Sequence, residues 1–135
     1  EKDAYGMVAD LLRPESFYAD KHRYIYEAIR TLSNNDNPID LLSVAQQLRS
    51  MGLLEHIGGV VYLSELTRRV ASAAHLRYHA QIVAQKSTAR DLIAVACQIE
   101  EKGYDETQDV DDLIQEAEGR ILRAPKKARR LSAFA

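Results

Sequence analysis

Long apolar runs, cysteine and charge of one sign are all scarce in this chain, and each scarcity excludes something. No apolar run approaches the ~18 residues that cross a bilayer, so no membrane-spanning helix is expected. Cys97 is the sole cysteine, so no disulfide closes within the chain, and an intracellular, cytoplasmic setting is expected. A net charge of −2 over 135 residues provides no general attraction to nucleic acid or to an anionic membrane. No secretory leader is expected, and Glu1-Lys2-Asp3 starts abruptly inside a helical pattern, as an excised domain would. Strict alternation of apolar and polar residues is absent too, which removes strands. An all-α fold is what remains, and this length suffices for one modest core.

Helix breakers are missing from one stretch above all, between Ser72 and Gly103. Ser72 is a suitable N-cap, and Gly103 stands where a helix favours a left-handed residue after its last turn. Ala74, Tyr78, Ile82, Ala89, Leu92, Ile93, Ala96 and Ile99 share one arc at 100° per residue. Lys86-Ser87-Thr88 is the one place for a kink. About thirty helical residues span about 45 Å, against roughly 33 Å for a compact body of about a hundred residues. The helix is therefore expected to project, and something must cover what projects. Val95 and Cys97 widen its apolar arc to about 200°, against the ~100° that a one-sided helix needs.

In chain order, Asp3 caps a short helix through Leu12 that presents Tyr5, Val8, Ala9 and Leu12, and Arg13-Pro14 ends it. Ser16-Phe17-Tyr18 reads as a turn that inserts aromatics into the core. A helix from about Asp20 to Asn34 follows, with Ile25, Ala28, Ile29 and Leu32 in rhythm, and then a loop through Pro38. Asp40 caps a helix from Leu41 to about Met51, with Leu41, Val44, Ala45 and Leu48 inward and Gly52 as terminator. Beyond the connector Leu53–Gly59, a helix from Val60 to about Val70 buries Leu63 and Leu66 and carries Tyr62 on its flank. After the long helix, Tyr104 to Gln108 make a polar turn, and Asp109 caps a last helix to about Leu122. Val110, Leu113, Ile114, Ala117 and Ile121 form its stripe, and the short connection makes an αα-hairpin. The expected organisation is a compact multi-helix bundle in residues 1–70, a projecting αα-hairpin in 71–122 and a basic linker or disordered tail in 123–135.

Few residues suggest chemistry. His75 and His79 have the spacing of two ligands on a helix, but position 76 is Leu and no third ligand is near, so surface histidines are expected. Gly58-Gly59 precedes a helix without the phosphate-loop pattern, so tight packing at the helix start is expected instead. Cys97, on an apolar helix with no adjacent His or Lys, reads as buried and inert. Asp111-Asp112 and Glu100-Glu101 flank helix ends as solvated pairs, and Lys126, Lys127, Arg129 and Arg130 solubilise a linker. No catalytic residue, metal site or cofactor is expected. The hairpin differs. Its wide apolar arc marks Val95, Leu113, Ile114, Ala117 and Ile121 as a self-association surface that makes a dimer.

Phe17-Tyr18, His22, Ile25-Tyr26 and Pro38-Ile39-Asp40-Leu41 stand in a recognisable order, as do Ile57 to Leu66, Ser72 to Val83, and Gly103-Tyr104. From about Asp3 to Leu122 this series resembles the N-terminal domain of bacterial DnaB-type replicative helicases. The family's usual first helix and its RecA-like ATPase domain have no counterpart here, and the tail from Arg123 matches nothing in the family's linker. The resemblance implies a non-catalytic assembly and partner-docking domain in DNA replication. In that family, hairpins pair to form a collar over a hexameric motor that uses ATP and Mg, and the collar docks primase. A helicase loader is a further expected partner. By match, the primase-docking positions fall on Tyr62, Ile93 and Ile99.

Two other readings compete. One is a DNA-binding helical module that uses the basic tail and His22-Arg23 or Arg68-Arg69; the net charge and the lack of a recognition helix speak against it. The other is the helicase-binding C-terminal domain of primase, and the Gly58-Gly59 connector series speaks against that. Tight direct DNA binding and membrane association are not expected.

Overall fold

Residues 4–69 and 75–123 are described by the computed structural model, and every regular element among them is helical. The elements are α1 (Ala4–Val8), a 3-10 turn (Pro14–Ser16), α2 (Asp20–Asn34), α3 (Leu41–Ser50), α4 (Gly59–Arg69), α5 (Leu76–Gly103) and α6 (Val110–Leu122). Asp3, Val70, Ser72, Ala74 and the tail beyond Arg123 lie outside the described residues.

α1 is shorter than its pattern, ending at Val8 in a turn that Leu11 and Leu12 close by donating to the Val8 carbonyl. Gly6 weakens so short a helix by about 0.5–1 kcal/mol relative to alanine, and Ala9, expected inward, is exposed. The following turn sits at Pro14–Ser16, two residues earlier than expected, because the Ser16 hydroxyl accepts from the Arg13 N–H at 3.1 Å. Of its two aromatics only Phe17 goes inward, 5.1 Å from the Tyr26 ring centroid; Tyr18 is 81% exposed. The Arg23 guanidinium donates to the carbonyls of Phe17 and Tyr18, which fixes this turn to α2.

The core forms where α2, α3 and α4 lay their stripes together. Ala28 and Leu32 meet Val44, Ala45 and Leu48, and Leu54, Ile57 and Leu63 close the cluster. Leu48 and Ile57 are fully buried. Tyr26 is buried on the other side of α2 and donates to the Leu12 carbonyl at 2.9 Å. Asp36, at φ 56°, ends α2 in the left-handed region that Asp tolerates better than most residues. Asp40 caps α3 by accepting from the Ser43 N–H at 2.8 Å. Leu41 was expected inward but is exposed: it is the first helical residue, and its side chain leans back off the helix end. Gly52, at φ 74°, terminates α3 as expected, with Leu53 donating to the Leu48 carbonyl at 2.8 Å.

α5 runs 28 residues without a break, through Lys86-Ser87-Thr88, a length of about 42 Å. The side it buries is not the one its large residues mark. Ala80, Ala84 and Thr88, spaced four apart, are buried, whereas Tyr78, Ala89, Leu92, Ile93 and Ala96 are exposed. Small side chains carry little hydropathy signal but admit close approach, so the pattern misplaced the covered face. Gly103 does not take the left-handed conformation expected of it. It is the last helical residue, and Tyr104 and Asp105 donate back to Glu100 and Lys102. Asp109 caps α6 through the Asp111 N–H at 3.1 Å. The chain forms two compact units, residues 1–83 and 84–135, with the division inside α5.

Candidate partner-docking surfaces

In the first unit, the sequence-predicted Tyr62 is half-buried on α4. Two backbone features set it there. Gly58 and Gly59 take φ of 108° and 73°, values open to glycine at little steric cost, and Gly59 donates to the Leu54 carbonyl at 2.9 Å. A Cβ on Gly58 would lie 3.0 Å from the Tyr62 Cβ, so the missing side chain is what makes room for the phenol. Two residues from the first turn of α2 then hold it. The Lys21 ammonium lies 4.7 Å from the ring centroid, and the hydroxyl is 3.3 Å from His22 Nε2. His22 in turn stands edge-on to Phe17, with centroids 6.3 Å apart. Val61, the next residue back, is 70% exposed.

In the second unit, α5 and α6 are antiparallel, tied by Lys102 to Glu116 and by Arg120 to Gln98. The hydrogen bond from Lys102 holds the Glu116 carboxyl below its ordinary pKa. Val95, Ile99, Leu113 and Ala117 are half-buried, whereas Ile93, Ile114 and Ile121 are exposed at 63%, 51% and 48%. No residue of α6 is buried. Leu92, which belongs to the expected arc of α5, and Leu122, which lies outside the expected stripe of α6, are exposed as well. Tyr62 thus belongs to one unit and Ile93 and Ile99 to the other.

The remaining sequence candidates fare differently. Cys97 is exposed rather than buried, because it lies beyond the edge of the covered face of α5. His75 and His79 are exposed. Among the described residues no group of three or more His, Cys, Asp or Glu could hold a metal. Of the Gly58-Gly59 pair at the start of α4, Gly58 is the one in close approach, against Tyr62, while a Cβ on Gly59 would meet nothing nearer than 3.9 Å.

Sequence reasoning also missed an apolar cleft of about 330 Å³ in the first unit, lined by Tyr5, Val8, Phe17, Tyr26, Leu76 and Val83 among others. Burial, and next the nearby Tyr5, push the Tyr26 phenol well above its ordinary pKa. Arg77 braces this side by donating to the Met7 carbonyl at 2.7 Å and lying 3.7 Å from Asp10. The aromatic spacing was the available signal, but the walls come from segments far apart in sequence.

Residues 1–85 match the model of the DnaB-like helicase N terminal domain. The chain is 36% identical over 134 residues to the replicative DNA helicase DnaC of Bacillus subtilis, covering 99% of this chain and 29% of that protein. It is 42% identical over 123 residues to the replicative DNA helicase DnaB of Rhodothermus marinus, covering 91% of this chain and 13% of that one. Its fold is similar to the crystal structure of the N-terminal domain of DnaB helicase from Mycobacterium tuberculosis. The TM-score is 0.84 at 35% identity, over 93% of this chain and 87% of that one. The chain thus spans less than a third of the length of these two curated relatives.

Proposed function

This chain belongs to the DnaB-like helicase N-terminal domain family, and on that premise we propose that it is the non-catalytic assembly and partner-docking domain of a replicative DNA helicase. The observation that carries the reading is α6, a well-formed helix with a continuous apolar stripe and no buried residue. A surface of that kind calls for a second surface.

In this reading residues 1–70 are a globular body, 71–122 a pairing hairpin and 123–135 a linker. Two hairpins pair isologously, with Ile114 and Ile121 in the contact beside Val95, Leu113 and Ala117. Three such pairs build a collar on a cytoplasmic hexamer whose motor binds ATP and Mg outside this chain. Primase docks on the collar at Tyr62, Ile93 and Ile99, and a helicase loader is a further partner. DNA contacts the domain only weakly, in keeping with a net charge of −2.

Light scattering on the domain, alone and with the C-terminal helical domain of the cognate primase, tests this. A concentration-dependent dimer that gains mass with primase is expected. A strict monomer at millimolar concentration that ignores primase would overturn it.

A further inference from the structure

We propose that the Tyr62 patch selects a partner helix that sets a carboxylate beside an apolar side chain, and that Lys21 supplies the complementary charge. The proposal rests on the docking role given to Tyr62 above and adds the chemistry of what docks there.

The cations of α2 are not alike. Arg23 is paired with Asp20 and Arg30 with Glu27, whereas Lys21 forms no ion pair with any described residue. Its one described contact is the face of Tyr62, 4.7 Å away. Lys21 also stands in the first turn of α2, where the positive end of the helix dipole disfavours a cation. Helix stability therefore gives no reason for a lysine here. An ammonium held over a half-exposed phenol, with the hydroxyl 3.3 Å from His22 Nε2, makes a compact polar edge. The half-exposed ring of Tyr62 itself supplies the apolar part of the same surface.

A ligand that satisfies all of this carries one acidic oxygen toward Lys21 and an apolar group across Tyr62. Surface helices of proteins offer that pair routinely, one turn apart. Nucleic acid fits less well. Phosphate recognition gathers several cations along a groove, while here Arg23 is occupied by Asp20 and the whole chain is acidic.

Calorimetric titration of the full chain with the C-terminal helical domain of the cognate primase tests the idea at about 50 and about 300 mM salt. Wild-type binding should weaken at the higher salt. Lys21→Met should bind about two- to fivefold more weakly at low salt and lose most of the salt dependence, as expected for one exposed ion pair. Lys21→Arg should retain wild-type behaviour, and Tyr62→Ala should lose about thirtyfold or more at either salt. Lys21 is exposed, so circular dichroism should show all Lys21 variants folded.

If Lys21→Met matches wild type at both salts while Tyr62→Ala still fails to bind, the acidic-partner inference falls and the docking reading stands. If Tyr62→Ala binds normally, the docking reading falls and takes the inference with it. A single-stranded oligonucleotide that binds below micromolar concentration, and loses that binding in Lys21→Met, would assign the cation to nucleic acid and overturn the proposal.

Discussion

α2 and α6 carry the same kind of apolar stripe, yet α2 buries Tyr26, Ala28 and Leu32 while α6 buries nothing. The two compact units differ in the same way. The first holds Leu48, Ile57 and the cluster around them, and the second has only Ala84 and Thr88 buried among its described residues. Helical periodicity identifies the apolar side of a helix, but it does not say whether the chain's own residues cover that side. Where coverage is internal, the stripe contributes to folding. Where it is not, the same stripe is available for association.

The largest test of this contrast is truncation. Leu48→Ala should cost about 2–5 kcal/mol in a urea melt, as fully buried leucines do, and Ile114→Ala should stay within about 0.5 kcal/mol at monomer concentrations. Similar costs at both positions would erase the distinction.

Next in size is Ile114→Glu combined with Ile121→Glu. The pair should remove on the order of 3 kcal/mol of association and abolish the proposed dimer in sedimentation equilibrium, with the helical circular dichroism unchanged. A double variant that unfolds would show that the stripe is internal packing.

Gly58→Ala should cost about 1–3 kcal/mol, since φ 108° strains any side chain and the new Cβ presses on Tyr62. If Tyr62 docks primase as proposed, that binding should weaken beyond the stability loss, because the phenol moves. Thermal melts compared with titrations separate the two effects.

The smallest expected effect is acid sensitivity. Bonds from Ser43 hold the Asp40 carboxyl, in the first unit, below its ordinary pKa, and the bond from Lys102 does the same for Glu116 in the second. Both contributions are complete above the unfolded value near ~4 and are lost as pH falls through the lower folded values. Melting temperature should therefore be flat from pH 7 to about 5 and decline below about 4. Asp40→Asn and Glu116→Gln should each flatten that decline, and Glu116→Gln should also loosen the hairpin.

Much of the fold was legible because its punctuation is chemical. Asp40, Gly52 and Asp109 did what their residue types do at helix ends, and α2, α3 and α6 closely follow their expected bounds. The failures share a cause. Leu41, Tyr18 and Cys97 are apolar by type but sit at a helix start, beyond a turn and past a face edge, where burial depends on neighbours from elsewhere in the chain. Ala80 and Ala84 show the converse, because alanine's weak hydropathy hid the buried side of α5. Tyr62 was suspicious from sequence as a large flanking aromatic. Lys21 and His22 could not be joined to it, since forty positions separate His22 from Tyr62.

Cys97 is the chain's only thiol, and it is open to solvent on the same helix as Ile93 and Ile99. A nitroxide attached there gives every copy a single paramagnetic centre with no competing label. Two chains related by a two-fold axis would then yield one sharp spin–spin distance, a ring of three such pairs further distances between pairs, and separate chains none. The geometry of assembly can thus be read without altering any other side chain.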